Sequence, residues 1–173
     1  MKIFKYFALL AIVTSCNTPK AVFDYDEKVD FSELKTYGIY PDLVSNLNQL
    51  DEQRLLGILS EEMAQEGFTS AESPQIYVNF YTNQYETASR NSLGVGVGGG
   101  GGNMGVGISG GIPIGGPETY LRITFDFIDA NSDSLIWQAI VDSKFNLNAS
   151  PQKREEQLRA MVEEALEGYP PKK

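Results

Sequence analysis

Residues 121–145, LRITFDFIDANSDSLIWQAIVDSKF, decide the fold of this chain because hydrophobic and polar side chains alternate on both sides of a turn. The hydrophobic rows contain Leu121, Ile123, Phe125 and Phe127 before the turn, and Trp137, Ala139, Val141 and Phe145 after it. Such alternation has the period of a half-buried β-strand, and DANSDS is rich in turn-forming residues. The stretch therefore predicts an antiparallel hairpin, with Trp137 in the core rather than on a ligand platform.

Further strands and two helices are predicted on either side of this hairpin. A helix is predicted from the cap Asn48 to Gly67, and another from Ser150 and Pro151 to Gly168, because hydrophobic residues recur there at helical spacing. Strand patterns cover residues 22–26, 36–40 and 75–86. This order predicts an α+β domain: a largely antiparallel β-sheet with two amphipathic helices packed on one face.

A glycine-rich insertion, residues 91–117, separates two of the predicted strands. Thirteen of the 17 glycines lie between Gly94 and Gly116, and no charged residue occurs from Asn91 to Pro117. Glycine loses much backbone entropy in any fixed conformation, so the segment has too little side chain to build a core. Two interpretations stay open: a tolerated surface loop, or an extended hairpin whose uncharged tip touches lipid or a partner.

The amino terminus has the pattern of a bacterial lipoprotein signal peptide. Lys2 and Lys5 form a short basic start. The apolar stretch Phe7–Val13 that follows is far shorter than the roughly 20 residues of a membrane-spanning helix. Residues 13–16, VTSC, resemble the lipobox, in which small residues precede a cysteine that receives lipid, and Cys16 is the only cysteine of the chain.

This pattern predicts how the chain is divided and where it is held. We expect a signal peptide at residues 1–15, acyl chains such as palmitate on Cys16, and a lipidated tether at residues 16–21. A single domain then covers residues 22–171. Asn17 after the cysteine resembles the sorting signal for the outer membrane, so we expect a lipid-anchored protein there that faces the periplasm.

The charge balance excludes one class of partner. The chain has 23 acidic and 14 basic residues and no histidine. Nucleic-acid binding depends on clustered lysine and arginine, so we expect no nucleic acid. We also expect no cofactor and no metal, because zinc sites rely on histidine and cysteine, and lipid occupies the one cysteine.

Three short motifs match known sites only by spacing. Gly107–Gly111 fits the G-x-S-x-G elbow of serine hydrolases, but a catalytic triad needs a histidine. Gly94, Gly96 and Gly99 fit a dinucleotide fingerprint, but more glycine follows them instead of a helix. The calcium-loop spacing of Asp129, Asn131 and Asp133 lacks the glycine and glutamate of such loops, and a turn is the simpler interpretation.

Two functions from different classes remain. The first is a membrane-anchored cell-envelope lipoprotein that acts as a non-catalytic binding or assembly module, with an envelope protein as partner. The second is a carboxylate-dependent hydrolase of envelope glycans, for which Asp24 and Asp26 are the candidate pair. Acidic residues that alternate along the solvent-exposed face of a strand are usually solvated and not catalytic, which favours the binding or assembly module.

Several short motifs, taken in order, resemble one protein family. They are Asp30-Phe31-Ser32, Lys35-Thr36-Tyr37, Gly67-Phe68, Ile136-Trp137 after the Asp-rich turn, and Tyr169-Pro170-Pro171. In this order they look like the lipoprotein family catalogued as domain of unknown function 4136, over about residues 22–171. The resemblance implies a fold and a lipid anchor and assigns no activity. It implies nothing about the glycine-rich insertion.

Overall fold

The computed structural model describes residues 19–87, 92–93, 112–113 and 116–171. In chain order, its elements are β1 (Lys20–Tyr25), a single 3-10 turn (Phe31–Glu33), β2 (Thr36–Ile39), α1 (Gln49–Gln65), β3 (Thr69–Ser70), β4 (Ile76–Thr87), β5 (Ser92–Leu93), β6 (Ile112–Pro113), β7 (Glu118–Asp129), β8 (Ser134–Lys144) and α2 (Pro151–Leu166).

The predicted hairpin forms the centre of a six-stranded sheet. The strand order is β1-β8-β7-β4-β2-β3. The first four strands in this order, β1, β8, β7 and β4, are antiparallel to their neighbours. The short strand β2 is parallel to both β4 and β3. The parallel pair arises because α1 connects β2 to β4 as a crossover. The predicted α+β class with a largely antiparallel sheet is confirmed.

Both helices begin and end near the residues that the sequence indicates. The Asn48 side chain accepts a hydrogen bond from the Asp51 amide at 3.1 Å, which caps α1. Ser150 caps α2 in the same way through the Lys153 amide at 3.4 Å. Gly67 follows α1 with φ of 86°, a conformation that glycine adopts without strain.

The core lies between the helices and one face of the sheet. Its strand residues come from the two hydrophobic rows of the hairpin and from Ile76, Val78 and Phe80 of β4. The helices contribute Leu55, Leu59 and Met63 from α1, and Leu158, Met161, Val162 and Ala165 from α2. Trp137 is 0% exposed, so its predicted place in the core is confirmed.

The amino-terminal boundary of the fold differs from the expected one by two residues. Lys20 and Ala21, which the sequence places in the tether, pair with Asp142 and Val141 of β8. The tether therefore has fewer residues between Cys16 and the sheet than expected. The strand begins earlier than expected because β8 is long enough to form backbone hydrogen bonds with these two further residues.

The glycine-rich insertion lies largely outside the described residues. β5 and β6, which belong to it, pair antiparallel as Ser92 with Pro113 and Leu93 with Ile112. The strands on either side of the insertion, β4 and β7, remain in register up to the pair Thr87 and Glu118. The choice between a tolerated loop and a contact-making hairpin stays a prediction.

Candidate functional site

The predicted lipidation residue, Cys16, lies outside the part of the chain that the structure describes. So do the two glycine motifs, at residues 94–99 and 107–111. The lipid anchor and the rejection of the two motifs therefore rest on the sequence alone.

Asp129, Asn131 and Asp133, the residues with calcium-loop spacing, lie at the turn between β7 and β8. One carboxylate oxygen of Asp129 accepts hydrogen bonds from the amides of Asn131 at 3.0 Å and Ser132 at 2.8 Å, and from the Ser132 hydroxyl at 2.9 Å. The bond from the Ser132 amide is the main cause of the lowered pKa of Asp129. The carboxylate thus stabilises its own turn, as the turn interpretation predicts.

The candidate carboxylate pair borders a small hollow at the free edge of the sheet. Asp24 and Asp26 line a cavity of about 230 Å³ together with residues 135–138 of β8. The Asp24 carboxylate accepts a hydrogen bond from the Tyr25 amide, and that of Asp26 accepts one from the Lys28 amide, both at 2.9 Å. Both acids are exposed and hydrogen-bonded to nearby backbone.

The motifs that carry the family resemblance meet in one aromatic cluster beneath the helices. Tyr169 lies at its centre, with ring centroids 5.8 Å from Phe31, 5.5 Å from Phe68 and 5.6 Å from Trp137. Tyr37 joins through Phe68 at 6.4 Å. Burial raises the pKa of the Tyr169 hydroxyl. These motifs therefore contribute to the core.

The other face of the sheet carries a row of aromatic and aliphatic side chains. Of the elements that the structure describes, none packs on this face. The register places Tyr81, Thr124, Ile140 and Val22 side by side across four strands. Tyr81 is 42% exposed and Val22 is 69% exposed.

A charged cluster borders this row and fixes the side chains beside it. The Arg122 guanidinium donates to both oxygens of Asp142, with the shortest contact at 2.7 Å, and the Tyr85 hydroxyl donates to Asp142 at 2.9 Å. Burial and the bond to Asp142 raise the pKa of Tyr85, and the same carboxylate raises the pKa of Arg122. Tyr85 also stacks on Tyr120 at 5.7 Å. These contacts therefore hold the side chains of Tyr85 and Arg122 in place.

We call this surface, formed by the row and the charged cluster, the open face. The alternation of Tyr77, Tyr81 and Tyr85 along β4 is visible in the sequence and indicates an aromatic outer face. Its continuation through Ile140 to Val22 is not visible, because it depends on the pairing of strands that are far apart in the chain.

Within residues 19–87 and 116–171 and the two short strands between them, no three histidine, cysteine or acidic side chains are grouped so that they could hold a metal ion. In the same residues, no helix combines the length and apolar character needed to cross a membrane.

Comparison with solved structures relates the fold to two proteins. A PDZ domain protein from Parabacteroides distasonis ATCC 8503 shares it with a TM-score of 0.56 and 15% identity; the match covers 90% of this chain but 37% of that one. PelC from Paraburkholderia phytofirmans, solved as a dodecamer, matches with a TM-score of 0.50 and 10% identity over 86% of this chain and 94% of PelC. Identities this low show the fold alone.

No curated protein matches this chain. The profile of one family, described as Domain of unknown function (DUF4136), matches residues 21–171. This range contains the sheet, both helices and the aromatic cluster described above. The chain therefore belongs to the family of domain of unknown function 4136, as its short motifs predict.

Proposed function

We propose that this chain is a cell-envelope protein held at a membrane by lipid on Cys16, where it acts as a non-catalytic binding or assembly module. The observation that carries the proposal is the open face, which exposes Tyr81 on β4 and Val22 on the edge strand β1. The basic start, the apolar stretch and the residues VTSC at 13–16 support the anchor.

The composition of the open face favours a protein partner. Tyrosine and arginine are enriched in protein interfaces because they combine contact area with polar groups. Here Tyr85 and Arg122 are held by Asp142, so less side-chain entropy is lost when a partner binds. The aliphatic side chains of Ile140 and Val22 add apolar area beside them.

Assembly into a larger body has a precedent in this fold. PelC, whose structure is similar over 86% of this chain, was solved as a dodecamer. We include a second copy of this chain among the partners that the open face would bind. The residue Asn17 leads us to place the protein at the outer membrane, on its periplasmic side.

Site-specific photocrosslinking tests the binding role. A photoreactive amino acid is placed at Tyr81, on the open face, and in a control at Glu163, which is exposed on the outer side of α2. In cells, we expect a discrete crosslinked protein, either another copy or a second protein, at position 81 and none at 163. Equal crosslinking at both positions, or none at 81, would contradict the proposal.

Metabolic labelling tests the anchor separately. Cells that express the wild type or Cys16→Ala are fed a clickable fatty acid. Label on the wild type alone is expected, since Cys16 is the only cysteine. Label on the alanine variant, or none on the wild type, would refute the lipid anchor and leave the test of the open face standing.

A further inference from the structure

One end of the domain gathers the start of β1 and the starts of both helices. Lys20, the first residue of β1, lies opposite Asp142 near the end of β8. α2 follows β8 at this end, and α1 begins here after the loop that pairs Ser45 with Thr82. We call it the tether end, formed by Pro19, residues 44–50 and residues 145–153.

Three of the large hydrophobic side chains that are exposed lie at the tether end. Val44 is 70% exposed, Leu50 is 62% exposed and Leu147 is 43% exposed. They belong to two loops and to the first turn of α1, and no described residue covers them. Solitary exposed leucines are common, so the informative observation is that three such side chains lie at the same end of the domain.

Polar contacts hold these three residues in place. The Ser45 hydroxyl donates to the Glu52 carboxylate, which fixes the loop carrying Val44 against α1. Arg154 of α2 donates to Asp51, the neighbour of Leu50, and to the carbonyl of Leu147 at 3.2 Å. The aliphatic side chains therefore project from a supported surface.

The tether is too short to let this end turn away from the membrane. Four residue steps separate Cys16 from Lys20, which allows at most about 14 Å for an extended chain. Pro19 is buried and lines a groove of about 350 Å³ between β8 and α2, beside Ala149 and Ala160. The chain thus leaves the domain from within the tether end.

We infer that the tether end lies against the bilayer, with Val44, Leu50 and Leu147 at the boundary between phospholipid headgroups and acyl chains. This inference rests on the proposed lipid anchor at Cys16. Apolar side chains that enter this boundary gain free energy in proportion to the area they bury. They would add a fixed orientation to the attachment that the lipid supplies.

Quenching by labelled lipid tests the orientation with two leucines at opposite ends of β8. Leu147→Cys and Leu135→Cys are each labelled with a thiol-reactive fluorophore, since lipid occupies Cys16; Leu135 is 51% exposed and serves as the matched control. The lipidated proteins are placed in phosphatidylethanolamine and phosphatidylglycerol vesicles containing doxyl lipid. About 33 Å of strand separates the two ends, so we expect roughly threefold stronger quenching at 147.

The outcomes separate the orientation from the anchor. In protein that sediments with the vesicles, quenching at 135 that equals or exceeds quenching at 147 would overturn the orientation alone. Wild-type protein that does not sediment would refute the anchor and the orientation together. Lys153→Cys gives a second labelling position at the tether end, and Trp137 emission reports whether each variant is folded.

Discussion

Replacing Asp51 with alanine removes the one carboxylate that joins the first turns of the two helices. Its side chain is 1% exposed and accepts hydrogen bonds from Arg54 at 2.7 Å, from the Asn48 amide group at 2.6 Å, and from Arg154 of α2. The variant leaves the Arg154 guanidinium, which is 19% exposed, with the Leu147 carbonyl and the Phe145 ring as neighbours.

The expected loss follows from this geometry. Breaking a buried ion pair by removing one partner costs about 3 to 5 kcal/mol, because the remaining charge stays buried. Both arginines keep partial access to water, so we take the lower value, about 3 kcal/mol. A domain of this size loses about 3 °C of melting temperature per kcal/mol, which gives a decrease of about 9 °C.

Thermal unfolding followed by circular dichroism measures this difference. The control is Glu156→Ala, because the pair of Glu156 with Lys153 is exposed and 3.9 Å apart, and we expect a change within about 0.5 kcal/mol. The double variant Asp51→Ala with Arg154→Met should recover part of the loss, since no buried charge is left alone. A single variant as stable as the control, or a double variant less stable than the single, would refute the reasoning.

Three further predictions follow from individual contacts. Gly168→Ala should lower the free energy of unfolding by about 1 kcal/mol, measured as a lower urea midpoint, because its Cβ would lie 2.4 Å from the partly exposed Phe23 ring, which has to move; an unchanged midpoint would contradict this. Trp137 should emit at short wavelength in the native state, and Trp137→Ala should lower the melting temperature by about 10 °C or more; native emission like that of free tryptophan would rule out its burial. Hydrogen bonds from Ser132 lower the pKa of Asp129 in the folded state. Its ionised carboxylate therefore adds to the free energy of unfolding above the unfolded pKa of about 4, and this stabilisation is lost as the pH falls through the folded pKa. The stability difference between wild type and Asp129→Ala should therefore shrink in acid, and a gap that does not vary with pH would argue against the turn bonds.

The longer elements of this fold could be predicted because each has a local signal. The period of two in residues 121–145 identified both strands and the turn, and Asn48 and Ser150 mark the starts of the helices. The parallel placement of β2 could not be read in this way. A strand of four residues carries little pattern, and its neighbour is set by the crossover through α1.

The surfaces were harder to predict than the elements. The tyrosines at positions 77, 81 and 85 are a sequence signal for one aromatic side of β4, but the extension of this face to Val22 depends on the register of four strands. The apolar tether end has no sequence signal, because Val44, Leu50 and Leu147 are isolated in the chain and meet only through the contacts of Arg154 and Ser45. Isolated hydrophobic residues on a loop are ordinary until the fold places them together.

The position of Lys20 at the start of β1 determines how the domain carries a force applied from its amino-terminal side. A force directed along the axis of β1 acts on six residues that pair with β8 from Lys20 to Tyr25. Hydrogen bonds of an antiparallel ladder lie across the strands, so such a force shears all six pairs at once instead of opening them one after another. With the lipid anchor proposed for Cys16, a pull toward the membrane would meet the sheet in its strongest direction.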